Sequence, residues 1–97
     1  MTETEFLQQV KLLFDAIEAK IDASDDDLDV LRHGSLLEIE SDSGQKIIIN
    51  QQVAMHEVWL ASKSGGYHFK YDGGQWLNTR DGATFDTYLN TALNELN

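Results

Sequence analysis

The hydrophobic period changes twice along these 97 residues, and that double change restricts the fold more than any other feature. Phe6, Val10, Leu13, Ile17 and Ile21 recur at steps of three and four, and Leu7 and Phe14 widen the stripe, so the spacing predicts an amphipathic helix. Thr2 and Glu5 have capping-box spacing, with Thr4 a competing N-cap. Helical periodicity ends in the acidic run SDDDLD, and a period of two takes over. LDVLR (28–32), LLEIES (36–41), KIIIN (46–50), EVWLAS (57–62), YHFKY (67–71) and QWLN (75–78) read as short strands. The turn signals between them are His33-Gly34-Ser35, Asp42-Ser43-Gly44, Ser64-Gly65-Gly66 and Asp72-Gly73-Gly74. After Asp81-Gly82 the helical period returns: Thr84 is the N-cap, and Phe85, Tyr88, Leu89, Ala92, Leu93 and Leu96 run to the end of the chain. Two amphipathic helices must bury their stripes, and one antiparallel sheet offers one face to receive them. The expected fold is α+β: a two-layer sandwich with an antiparallel sheet of five to six strands and the N- and C-terminal helices packed on one face, as a single domain over 1–97.

A chain this short buries roughly two-thirds of its unfolded surface, so modest stability is expected. The chain has no Cys, which excludes a disulfide, a thiolate metal site and a Cys nucleophile. No apolar run approaches the ~18 residues a membrane span needs. The start, MTETEFLQQ, is acidic and resembles neither a signal peptide nor an Arg-rich transit peptide, so the expected location is cytoplasmic. The absence of proline, with only two Arg, suggests a flexible protein from a cool environment.

Charge is distributed unevenly. Residues 1–42 carry twelve Asp/Glu against three Lys/Arg, and residues 43–97 five against four, so the net charge of −10 lies almost wholly in the first half. Such a field repels nucleic acid and anionic membranes and attracts cations and basic protein surfaces. Seven of the acids stand between Asp15 and Asp29. Asp15, Glu18 and Asp22 share one helix face, away from Phe14, Ile17 and Ile21; Asp25, Asp26, Asp27 and Asp29 continue the line. From the pattern alone, the plain reading is a solvated helix face followed by a polar loop. The sharper reading is a cation site, because carboxylate oxygens are hard ligands for Mg²⁺, Ca²⁺, Mn²⁺ or iron. A calcium loop of the EF-hand kind is excluded: Val30 stands where its Gly is needed and Leu36 where its bidentate Glu is needed. An exposed stripe of this kind holds several cations weakly. His33 is the one histidine close enough in sequence to be watched as an extra ligand.

Catalytic signatures are absent. There is no G-x-S-x-G elbow, no HExxH and no phosphate-cradling Gly loop, and His33, His56 and His68 are scattered among strands and turns. The expectation is a binding protein and not an enzyme. On the fourth strand, Val58 and Leu60 share one face and Glu57, Trp59 and Ala61 the other. A Glu that seeks water puts Trp59 on the solvent side. Phe69, with Tyr67 and Tyr71, then faces inward and leaves His68 and Lys70 outside, with Asn50 and Gln52 joining that outer side. A Trp there is a candidate anchor for a protein partner; partial cover by the following loop is the alternative. Trp76, near the end of the meander, reads as core.

The stretch INQQVAMHEVWLASKSGGYHFKYDGGQWLNTRDGATFDTYL (49–89), behind an acidic first helix and ahead of a closing amphipathic one, resembles the frataxin family, and its GGYHF resembles the bacterial CyaY-type branch. The resemblance covers essentially the whole chain. It implies an α-β-α sandwich with both helices on one sheet face. It also implies a protein of iron–sulfur cluster assembly that binds Fe²⁺ and Fe³⁺ weakly, other divalent cations substituting, and regulates assembly or donates iron. Carried onto this chain, the metal ridge is Asp15, Glu18, Asp22, Asp25, Asp26, Asp27 and Asp29. The partner face is Asn50, Gln52, Trp59 and His68. The implied partners are a cysteine desulfurase and the scaffold protein, and the implied state is a monomer that oligomerises with iron. Ala19 and Ala23 stand where close relatives often carry acids, Ala54 replaces a common Pro and Glu57 a common Gln. Ferroxidase activity is permitted by the resemblance, but no buried carboxylate–His site is visible. The competing reading is an acidic protein-interaction module without a physiological metal.

Overall fold

The computed structural model describes residues 1–24 and 27–96. Helix α1 spans Glu3–Ala23 and α2 spans Phe85–Asn94. Between them run β1 (Leu28–His33), β2 (Leu36–Ser41), β3 (Lys46–Gln52), β4 (Glu57–Ser62), β5 (Gly65–Asp72) and β6 (Gln75–Asn78), with a short 3₁₀ turn at Val53–Met55. The strands form one six-stranded antiparallel meander in chain order. The predicted order of elements and the antiparallel sheet are as observed, at the upper of the two strand counts.

Helix α1 starts where its chemistry requires. The Thr2 hydroxyl accepts the Glu5 N–H at 3.1 Å, and the Glu5 carboxylate accepts the Thr2 N–H at 2.8 Å, so two otherwise orphaned donors are satisfied reciprocally. Thr4 plays no capping part, because it already lies within the helix. Phe6, Val10, Phe14, Ile17 and Ile21 form the buried stripe. Leu7 does not widen it: at 37% exposure it lies on the solvent side of Phe6. Helix α2 is capped by Thr84 and ends at Asn94, three residues short of the chain end, although Leu96 is still buried. Strand β5 begins at Gly65. The turn is therefore Lys63-Ser64, and both glycines expected there belong to the strand.

The inward positions of the sheet alternate as a half-buried sheet demands. Leu37 and Ile39, Ile47 and Ile49, Val58 and Leu60, and Phe69 are all essentially inaccessible, and they meet the two helical stripes in one core. Each such side chain contributes about 1.5–3 kcal/mol through removal from water. Trp76 is core, as expected, with its ring edge-on to Phe6 at 5.9 Å. Tyr67 and Tyr71 pack partly against the same core. Among the described residues no helix is long and apolar enough to cross a membrane.

Candidate functional site

Strand β1 is an edge strand, and its parity sorts the acidic segment between two surfaces. Leu28, Val30 and Arg32 point to the helix side, whereas Asp29, Leu31 and His33 point to the sheet face away from the helices. Arg32 occupies a position where an apolar residue would close the core, and its long side chain crosses to α1. There Nη1 donates to Asp15 Oδ1 and to Glu18 Oε1, both at 2.7 Å. The guanidinium carbon lies 5.4 Å from the centre of the Phe14 ring. Lys11 Nζ adds a second donor to Asp15, at 3.0 Å. The Asp15 carboxyl is consequently held below its usual value, by Arg32 first and Lys11 second, and the Arg32 guanidinium is held even more firmly protonated.

The other described acids of the segment stand differently. Asp22, Asp27 and Asp29 are exposed, and among the described residues no Lys, Arg or His lies within ion-pair distance of them. Asp25 and Asp26 lie outside the described residues. Asp29 falls on the far sheet face opposite Glu40, so the expected single line of carboxylates splits at β1. Asp27 instead meets Asp42, a residue of the turn after β2. A hydrogen bond between the Asp42 and Asp27 carboxyls, the charge of Asp27, slight burial and the charge of Asp29 push the Asp42 carboxyl up. The two carboxyls flank a cleft of 420 Å³ that is also lined by Leu28, Ser41, Leu93 and Leu96. Sequence could have found Asp42: counting outward from the Gly34–Ser35 turn pairs Leu28 with Ser41, and the next step sets Asp27 opposite Asp42. His33 is not brought to the acids. It sits at the other end of β1, five residues beyond Leu28, or roughly 16 Å along a strand.

Among the described residues no group of three or more His, Asp or Glu is gathered closely enough to enclose a metal ion. Carboxylate oxygens are donors of the kind that hard cations take.

The second assembly lies on the sheet face away from the helices. Register places Asn50 opposite Trp59 and Trp59 opposite His68, with Gln52, Glu57 and Lys70 in the adjacent row. All four expected residues are therefore brought together. The Trp59 indole stacks on the His68 ring at 4.3 Å with the planes 10° apart. Gln52 Nε2 donates to Asn50 Oδ1 at 3.2 Å. Glu57 departs from expectation. It was expected to seek water, yet its side chain is only 6% exposed because three neighbours close over it. Trp59 Nε1–H donates to its Oε1 at 2.8 Å, His68 Nδ1 lies 3.4 Å away and Lys70 Nζ 3.7 Å from Oε2. Trp59 does face away from the core, but the reason is core burial of Val58 and Leu60 on the opposite face.

A meander of this topology with both helices on one face, an acidic first helix and a polar sheet face bearing a Trp defines a class, and comparison with known proteins gives the same one. The profile of the Frataxin-like domain matches residues 1–96. The iron–sulfur cluster assembly protein CyaY of Janthinobacterium sp. (strain Marseille) is 52% identical, over 99% of this chain and 87% of its own length. The protein of the same name from Neisseria meningitidis serogroup B is 46% identical, over 96% and 87%. The solved frataxin of Psychromonas ingrahamii, from the CyaY protein family, superposes with a TM-score of 0.92 at 40% identity, over 98% of this chain and 90% of that one. Trimeric frataxin from the yeast Saccharomyces cerevisiae, solved in complex with ferrous iron, gives 0.72 at 26% identity, over 98% and 85%. The chain belongs to the frataxin family.

Proposed function

We propose that this protein is a non-catalytic, cytoplasmic iron-binding protein that regulates iron–sulfur cluster assembly and donates iron to it. The observation that carries the reading is that Asp22, Asp27 and Asp29 are exposed carboxylates with no basic partner among the described residues, and that Asp42 stands beside Asp27. Family relatives named for iron–sulfur cluster assembly and a ferrous complex of a frataxin support it. Exposed carboxylates of this kind bind Fe²⁺ and Fe³⁺ weakly and accept other divalent cations. Asp15, Glu18, Asp25 and Asp26 complete the proposed ridge. The same surface docks a basic patch on the cysteine desulfurase and scaffold machinery, and the face of Asn50, Gln52, Trp59 and His68 is a second surface for partner contact. The protein works as a monomer and assembles further only with iron.

Anaerobic titration with Fe²⁺, followed by amide NMR, tests the metal role. Amides of residues 22, 27 and 29 shift selectively, and the protein gains about 1.4 kcal/mol of stability at a metal concentration ten times Kd. Unmoved resonances and an unmoved melting curve would sink the metal role. Asp22→Lys with Asp27→Lys weakens desulfurase binding, more so at low salt; unchanged affinity refutes the ridge as the dock. One observation favours a second reading, an acidic interaction module without a physiological metal: Asp15 and Glu18 are already satisfied by Arg32. Selective iron shifts on the ridge separate the two.

A further inference from the structure

We propose that Arg32 is a resident counter-cation that competes with external cations for Asp15 and Glu18, so that metal fills the carboxylates without a basic partner, Asp22 and Asp27, ahead of these two. The proposal rests on the iron-binding reading above and assigns a residue of β1 the part of limiting it.

The geometry points to competition for the same oxygens. One nitrogen of Arg32 lies 2.7 Å from a carboxylate oxygen of Asp15 and 2.7 Å from one of Glu18. A divalent cation bridging these two carboxylates would need the space that nitrogen fills. The contact is aimed by the fold. Arg32 sits on the helix-facing side of an edge strand, is 28% exposed at its side chain, and has its guanidinium carbon over the Phe14 ring. Arginine keeps its charge throughout the working pH range, so the clamp opens by displacement and not by titration. Displacement stays within reach because Asp15 and Glu18 are 45% and 39% exposed. An ion pair in such a setting alters an equilibrium by about fivefold at most. Lys20, on the same helix, provides the contrast. Its pairing with Asp86 is long, at 3.9 Å, and involves no ridge carboxylate.

The test follows the carboxyl ¹³C resonances and the Arg32 Nε resonance during titration with Mg²⁺, a diamagnetic hard cation whose shifts stay local. In the wild type, Asp22 and Asp27 reach half-saturation at a Mg²⁺ concentration about fivefold below that of Asp15 and Glu18, and Arg32 moves with the latter pair. In Arg32→Met, which keeps an apolar stem over Phe14, Asp15 and Glu18 titrate with an apparent Kd about fivefold lower than in the wild type. Lys20→Met removes the same charge and leaves the order of titration unchanged. Arg32→Gln replaces Arg32→Met if the amide spectrum shows that the latter fails to fold. The proposal is overturned if Asp15 and Glu18 move together with Asp22 in the wild type, or if Arg32→Met and Lys20→Met behave alike. In either case the ridge still binds metal and the reading above survives. Carboxyl carbons that stay still in every protein overturn both.

Discussion

At the scale of the residue, a carboxylate buried on a sheet face needs donors, and Glu57 has Trp59, His68 and Lys70 around it. Removing it leaves the indole N–H unmatched under cover, which costs about 1–3 kcal/mol. Glu57→Ala should therefore lower the urea midpoint and release the Trp59 ring, read as a fall in fluorescence anisotropy. Glu57→Gln keeps an acceptor and should lose less on both counts. The Asp27–Asp42 pair has the opposite character. Asp42 is held above the usual 3.8, so its carboxyl takes up a proton more readily in the folded chain than in the unfolded one. The pair is harmonious at acid pH and repulsive once pH rises through the raised value of Asp42. Asp42→Asn is expected to raise the urea midpoint at pH 7 and to lose that advantage as pH falls below that value. Asp15 and Asp81 have the reverse sign. Both are held below 3.8, by Arg32 and by the Tyr88 hydroxyl respectively, so what they contribute is present above 3.8 and is lost as pH falls through their lowered values. None of these pairings could be read from residue types alone. Glu57 is buried by cross-strand neighbours at positions 68 and 70, and Arg32 reaches a helix seventeen residues away in sequence from its first partner. Asp42 was within reach of register counting, since a tight turn fixes which residues face each other.

At the scale of the element, the two helices and six strands were legible because each buries one face and so writes its period into the chain. What periodicity could not supply was detail at the ends. Gly65 and Gly66 carry no side chain to alternate, so the start of β5 was invisible, and Gly65 in fact pairs with Ser62. Gly65 also has φ of +142°, a conformation that other residues rarely adopt, which explains a Gly at that strand entrance. The start of α1 was narrowed to Thr2 or Thr4, and hydrogen-bond geometry separates them. Thr2→Ala should cost about 1 kcal/mol of stability in urea unfolding. Thr4→Ala should leave the midpoint nearly unchanged, since an exposed threonine inside a helix gives way to a better helix former. Helix α2, only ten residues long, depends on tertiary support. Phe69 against Phe85 at 4.9 Å, and the Tyr88 hydroxyl on Asp81 at 2.5 Å, tie its first turns to the sheet and to the preceding loop.

At the scale of the whole molecule, a net charge of −10 on 97 residues acts as self-repulsion in the folded state. Added salt screens that repulsion, and it also screens ion pairs such as Arg32 with Asp15 and Glu18. With seventeen acids against seven bases, repulsion is the larger sum, so the melting midpoint is expected to rise between low salt and 0.15 M. It should nonetheless remain below about 65 °C in metal-free buffer, as suits a chain with no proline to restrict its unfolded state. A scan by calorimetry at both ionic strengths checks the two statements together. The molecule also distributes its two tryptophans in a useful way. Trp76 is sealed in the core against Phe6, while Trp59 lies half-covered on the opposite side of the sheet against His68. The protein thus contains two optical probes in separate surroundings. Emission from Trp76 reports whether the chain is folded, and quenching of Trp59 reports what has landed on its outer face. With either ring replaced by Phe, one fluorimeter can time docking and unfolding independently.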